Sequence, residues 1–498
     1  MAEPDVEKLL QDLRDERQLR LAAESRAASE TDKARIWRQR AQERTARIAE
    51  LTEAGSGIRR LIGRKPAPQK HEPITDRPGE RLRSVHKPFA SFRVGCAVPD
   101  AHFRSLQATF DTVELGGGSD LDFIVIHSSR WADAQQVLES DAALTPIVAW
   151  GDDIPADLRA AAATVFDRRN PLPLTFDSRP PRYGRDAPIS VPRAEMGRPS
   201  PDLIQAAADG TAVWVDAQPD ETMAPPASLV AQRWAYRTYH PRHFGERILD
   251  EVGFVHHDPL PRVAMILASK RPDRIATAIR QIGTQTYRNL ELRVGLHGFV
   301  MTDEIDQAIR DLPMSTEVHE LSSELPLGRI LNDLIDTTNA PLLAKIDDDD
   351  FYGPAHIEDS VNAMEYSGCR VVGKATQFVY LEDENATILR RPDQEGVEIA
   401  GTLNGPTLVF GREVWEQGPF PYRPRFVDVL FERAARANGY GLYATQRWEF
   451  CLMRTSSDHT YPGSSSAFLG GSDPLWPGLD VSRCVAPDNL TGLYGPQA

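Results

Sequence analysis

The stretch from Pro341 to Asp350, PLLAKIDDDD, constrains this chain more than any other. PLLAKI reads as a buried strand, so four carboxylates stand at its C-terminal end, the edge where open α/β sheets bind ligands. Adjacent like charges oppose one another's ionisation, and a divalent cation removes that conflict. All-oxygen ligands suit Mg²⁺ or Mn²⁺, which complete their shells with substrate phosphates. A solvated acidic loop is the plainer alternative, but it leaves the position after a strand unexplained. Asp348, Asp350, Gly353 and Asp359 also fall at calcium-loop offsets. Against that reading, Tyr352 takes a ligand position, the last residue is Asp instead of Glu, and a strand precedes where a helix belongs.

The surroundings repeat a βαβ rhythm. Val263 to Ala268 is an apolar run, followed by a helix with Ile275, Ile279 and Ile282 on one face. LELRVGL reads as a second strand, TDEIDQAIRDL and LGRILNDLI as helices, and PLLAKI as the next strand. Upstream, between about 91 and 257, short apolar runs alternate with helical stretches, which predicts a smaller Rossmann-like α/β domain. Its Gly116, Gly117 and Gly118 precede a strand instead of following one, so the dinucleotide fingerprint is absent. Residues 1–62 have the composition of a helical stalk, open to pairing as a coiled coil in a homo-oligomer. Prolines at 66, 68, 73, 78 and 88 mark 63–90 as a linker. The expected catalytic domain is 258–464, and 465–498 reads as an irregular tail.

With 57 basic against 72 acidic residues, the net charge of −15 disfavours nucleic acid and anionic membrane surfaces as partners. There is no leader-like start and no apolar run long enough for a membrane span, so the expectation is a cytoplasmic protein without an integral membrane segment. Four cysteines without a CxxC spacing exclude a disulfide framework or a cysteine-rich zinc site.

From about Pro261 to about Ser464 the chain resembles family 2 glycosyltransferases of the GT-A fold. The likeness rests on an ordered series: a strand then SKRPDR, QTYRNLEL, GRILNDLIDTTNAPLLAKIDDDDFYGP, GPTLVFGREVWEQGPF and FVDVLFERAARANGY. It implies a nucleotide-sugar donor, with Asp347 and Asp348 toward its ribose and the metal, and Asp349 as metal ligand beside Asp347. The family's catalytic base is the aspartate of an acidic pair at the start of a helix that ends in Gly-Tyr. Gly439 and Tyr440 supply that ending, and Asp428 stands 11 residues before Gly439, with Val427 in place of the usual Glu. The spacing independently puts Asp428 in a helix's first turn, where the dipole favours an ionised carboxylate. Where relatives carry a base-reading aspartate after the second strand, this chain has Gly295, Leu296, His297 and Gly298, so uridine specificity does not carry over. His297, Ser269, Arg271 and Asn332 are candidate donor contacts, and His459 stands where relatives place a histidine near the metal. Thr402 and Asn404 are candidates for the acceptor side.

The expected chemistry is metal-dependent, inverting displacement at an anomeric carbon, with Asp428 taking the proton of an acceptor hydroxyl. The acceptor is a glycan, a protein or a small molecule. The alternative is a catalytically silent GT-A-like binding or scaffold protein. A nucleotidyltransferase would need a basic triphosphate loop, which Lys270 and Arg271 alone do not make.

Overall fold

The computed structural model describes residues 88–115, 121–138, 145–167, 181, 188–191, 199–215, 224–455, 468–469 and 472–486. The expected stalk, most of the linker and His459 lie outside the described residues.

Strands β1 (Phe89–Ala97), β2 (Phe110–Glu114), β3 (Phe123–His127), β4 (Ile147–Trp150) and β5 (Thr164–Phe166) form one parallel sheet in the order β2-β1-β3-β4-β5. That order belongs to doubly wound α/β sheets. Central β3 is apolar at four consecutive buried positions because both of its faces are covered. Phe89, Phe110, Phe123, Phe166 and Phe244 fill the space beneath it. A parallel pair follows, β6 (Ile189–Val191) and β7 (Val213–Val215). With the helices Pro201–Ala208 and Ala224–Tyr239, its side chains join the apolar core of the next sheet.

That next sheet begins with β8 (Val263–Ser269), β9 (Leu290–His297), β10 (Ser315–Leu321) and β11 (Leu342–Ile346). The predicted helices appear between them as Ile275–Ile282, Asp303–Arg310 and Leu327–Asp336. Their stripes are cut by the apolar spacing: Ile275, Ile279 and Ile282 are buried in the first, and Ile330, Leu331, Leu334 and Ile335 in the third. Then come β12 (Phe351–Tyr352), β13 (Val371–Gly373), β14 (Gln377–Leu381), β15 (Ala386–Arg390), β16 (Val397–Glu398), β17 (Val409–Gly411), β18 (Leu442–Ala444), β19 (Phe450–Arg454) and β20 (Ser472–Pro477).

Eight of these strands run in the order β10-β9-β8-β11-β17-β13-β18-β16. The chain lays β9 and β10 on one side of β8, then crosses back to place β11 on the other, and all four are parallel. The strand order therefore reverses between β8 and β11, and a crevice opens where their carboxyl ends part. The remaining strands form a second sheet, β12-β19-β14-β15-β20. It leaves from the aspartate quartet, since β12 starts immediately after Asp350 and pairs with β19. Two features were not anticipated. Strand β10 is a half-exposed edge whose alternating STEVHEL lacks an apolar run, and the second sheet is built from short, distant segments. Among the described residues no helix is long and apolar enough to cross a membrane.

Candidate functional site

Register alone brings the quartet to the crevice. Ile346 on β11 lies beside Leu267 on β8, so two residues further Asp348 comes level with Ser269. The Ser269 hydroxyl hydrogen-bonds the Asp348 carboxylate, and it accepts the Arg271 backbone N–H at 2.9 Å. The Arg271 Nη1 then reaches Oδ1 of Asp348 and Oδ2 of Asp349, each at 2.8 Å. Burial pushes the Asp348 carboxyl up to about 6, although Ser269 and Arg271 pull it down.

Asp347 faces the other way. Lys345, 3% exposed near the end of β11, places its ammonium 2.6 Å from Asp347 Oδ1 and 3.6 Å from Asp428 Oδ1. Burial by itself would lower the pKa of this lysine, but the two carboxylates outweigh it and the pKa is raised. One cation therefore ties the quartet to the helix Val427–Ala437, which carries Asp428 in its first turn. The dipole argument predicted an ordinary ionised carboxylate at 428. In the fold, burial raises its pKa, Asp347 adds to the rise and Lys345 opposes it. The loop of Thr402 and Asn404 closes over this carboxylate at Gly405, where any β-carbon would collide with Asp428 Oδ2. Only glycine allows so close an approach.

Asp350 turns inward and accepts the Met453 N–H of β19 at 2.9 Å, and burial raises its pKa strongly. Asp347, Asp349 and Asp350 each offer a carboxylate oxygen within 4.8 Å of the others, a set able to hold a metal ion. The sequence reading placed Asp347 and Asp349 in such a set and not Asp350. An all-carboxylate donor set fits Mg²⁺ or Mn²⁺.

These residues line one cleft of about 930 Å³ together with Ser269, Arg271, His297 and residues of β14, β15 and β19. His297 ends β9 and donates from Nε2 to the Ser323 carbonyl at 3.1 Å. Asn332 is not brought to the cleft. It is buried, its Nδ2 donates to the Phe420 carbonyl at 2.8 Å, and its Oδ1 accepts from Trp415 Nε1 and Phe420 N. Thr402 and Asn404 line the cleft beside Asp428.

Sequence reasoning did not single out Lys345, Arg390, Arg391, Arg454 or Phe426, all of which touch this site. For Lys345 a signal existed: one charged residue inside an otherwise apolar strand, two positions before a carboxylate.

No family model matches the chain. A 145-residue stretch is 27% identical to the UvrABC system protein C of Sphingopyxis alaskensis, which is 28% of this chain and 22% of that protein. The chain thus matches about a fifth of that curated relative's length. Among solved structures, the mannosyltransferase PcManGT of Pyrobaculum calidifontis, in complex with GDP-Man and Mn²⁺, is similar over 40% of this chain and 59% of that one, at 18% identity and TM-score 0.33. TarS 1-349 of S. aureus, in complex with UDP-GlcNAc, is similar over 42% and 64%, at 15% identity and TM-score 0.31.

Proposed function

We propose that this chain transfers a sugar from a nucleoside-diphosphate sugar to an acceptor hydroxyl, with inversion and with Asp428 as general base. The observation that carries the reading is the Lys345 bridge. It holds a lone carboxylate at a fixed short reach from an aspartate quartet, at the switch point of a parallel sheet. Asp347, Asp349 and Asp350 would hold the metal, which when bound supplies charge stabilisation to a departing diphosphate. Ser269 and Arg271 fix Asp348 toward the donor end of the cleft, where His297 lies. Asp428 accepts the acceptor's proton at Oδ1 or Oδ2, and its raised pKa makes it a stronger base than a solvated aspartate. Lys345 keeps that base ionised and aimed.

A second reading, a silent binding protein, draws on the ion pairs themselves. Arg271 and Lys345 already offset part of the quartet's charge without a metal. One experiment separates the two: full-length protein is titrated and assayed against UDP-, GDP- and dTDP-sugars with Mn²⁺, Mg²⁺ or chelator. The transferase reading expects metal-dependent donor turnover, and Asp428→Asn keeps donor binding while losing about 10²–10⁴-fold in rate. Donor binding without turnover in any combination would favour the silent protein.

A further inference from the structure

Two of the four cysteines meet in the fold. Cys451 lies on β19 and Cys484 ends a 3₁₀ turn, Val481–Cys484; both are 0% exposed, in a small cluster with Phe378 and Leu389. The Cys451 thiol is hydrogen-bonded to Cys484. Its further contact, with the Leu452 carbonyl, is 3.8 Å long, and the Cys484 thiol reaches the Asp480 carbonyl at 3.9 Å. Cys96 and Cys369 are buried in two other cores. Sequence spacing excludes a framework of disulfides, but it does not speak to a single pair that only folding brings together.

The turn that carries Cys484 is fixed to the start of β19. The Glu449 N–H donates to the Cys484 carbonyl at 2.8 Å, and the Ala486 N–H donates to Glu449 Oε1 at 3.0 Å. Between them the Arg483 guanidinium stacks on Trp476, 4.2 Å from the ring centroid. Trp476 packs in turn on Phe378, the β14 residue in register with Cys451. A disulfide tolerates little backbone displacement, and here the main chain of each cysteine is already held beside the other's.

We infer that Cys451 and Cys484 are a modification site, a thiol pair that a hydroperoxide closes reversibly to a disulfide. One sulfur attacks the peroxide, its O–O bond breaks, and a sulfenic acid and one water form. The second sulfur then attacks the sulfenic sulfur. The S–S bond forms, and the departing hydroxyl leaves as a second water with the remaining thiol proton, so the peroxide gains the two electrons the thiols lose. The hydrogen bond to Cys484, and then burial, hold the Cys451 thiol well above its ordinary value. Closure therefore proceeds slowly, through transient local opening. The bond would make residues 452–483 a covalent loop, and Leu452, Met453, Arg454 and Phe468 of that loop line the cleft. Met453 also donates its N–H to Asp350, which ties the redox state of the pair to one wall of the candidate site.

The test incubates the reduced full chain with hydrogen peroxide, removes the peroxide with catalase, then counts thiols in denaturant and maps the peptides by mass. The count should fall from four to two, with Cys451 and Cys484 in one linked pair of peptides, and dithiothreitol should restore all four. The linked chain should unfold at a urea midpoint higher by on the order of 0.5 M, because the bond restricts its unfolded state. Cys484→Ala should form no link and show no rise in midpoint after peroxide. The wild-type peptide map identifies the partners even if that variant folds poorly. Survival of all four thiols would overturn the inference. So would a link to Cys96 or Cys369, or one between two chains.

Discussion

At the scale of the residue, the molecule's chemistry is concentrated in how few cations serve so many carboxylates. Lys345 sits between Asp347 and Asp428, and Arg271 between Asp348 and Asp349, so each acidic group is oriented by a specific partner. Asp428 was legible in the sequence from its distance to Gly439 and Tyr440; its Lys345 partner was not, because that contact spans 83 residues of chain between positions 345 and 428. Phe426, two residues earlier, shows a different pressure. It is 62% exposed and adopts φ 60°, a left-handed conformation costly for a bulky side chain. Phe426→Gly should relieve about 1 kcal/mol of strain, whereas Phe426→Ala retains the β-carbon and should gain nothing. Urea midpoints of the two variants check this, and equal midpoints would show that the backbone is not strained there.

The helix Val427–Ala437 shows what an element adds to its residues. Its spacing predicts an apolar stripe of Val427, Leu430, Phe431 and Ala434. The fold buries Val427, Phe431 and Ala435, with Glu432 among them at 0% exposure. The stripe rotates because Phe431 packs between Phe410 and Phe420, ring to ring at 4.6 and 4.5 Å. That rotation carries Glu432 under Asp428, one turn below, where it accepts the Leu403 N–H at 3.1 Å. Burial first, then the neighbouring Asp428, push its carboxyl up to about 7, against that hydrogen bond and Arg436. The native state therefore holds this proton more tightly than the unfolded chain, whose glutamates titrate near 4.3. Stability tied to Glu432 is full below about pH 4 and is lost as pH rises through 7. Glu432→Gln should accordingly stabilise the protein at pH 8 by on the order of 3 kcal/mol and change little at pH 4.5. Denaturation at the two pH values checks the sign, and a variant equally stabilised at both would refute the linkage.

Across the whole molecule, one buried guanidinium joins segments that local patterning treats as separate. Arg233, 1% exposed on the helix Ala224–Tyr239, is bidentate to Asp359 at 2.8 and 2.6 Å and reaches Glu449 at 2.8 Å. Glu449 in turn accepts the N–H groups of Ala355 and Ala486, and it holds φ 69° at the entry to β19. Arg233→Ala leaves two buried carboxylates unpaired and should cost about 3–5 kcal/mol. Chemical denaturation measures that loss, and a cost under about 1 kcal/mol would mean the clip is dispensable. By itself the sequence determined what near neighbours decide: the helices at 275, 303 and 327, the strands at 263, 290 and 342, and the aspartates placed at a strand's end. Those follow from hydrophobic periodicity, which acts over one or two turns of chain. The edge strand β10, the second sheet, Asn332 held away from the cleft and the arginines that line the cleft were decided only by the tertiary structure. Each depends on partners dozens of residues distant, and charge sharing between side chains exists only once the fold has closed the distance between them.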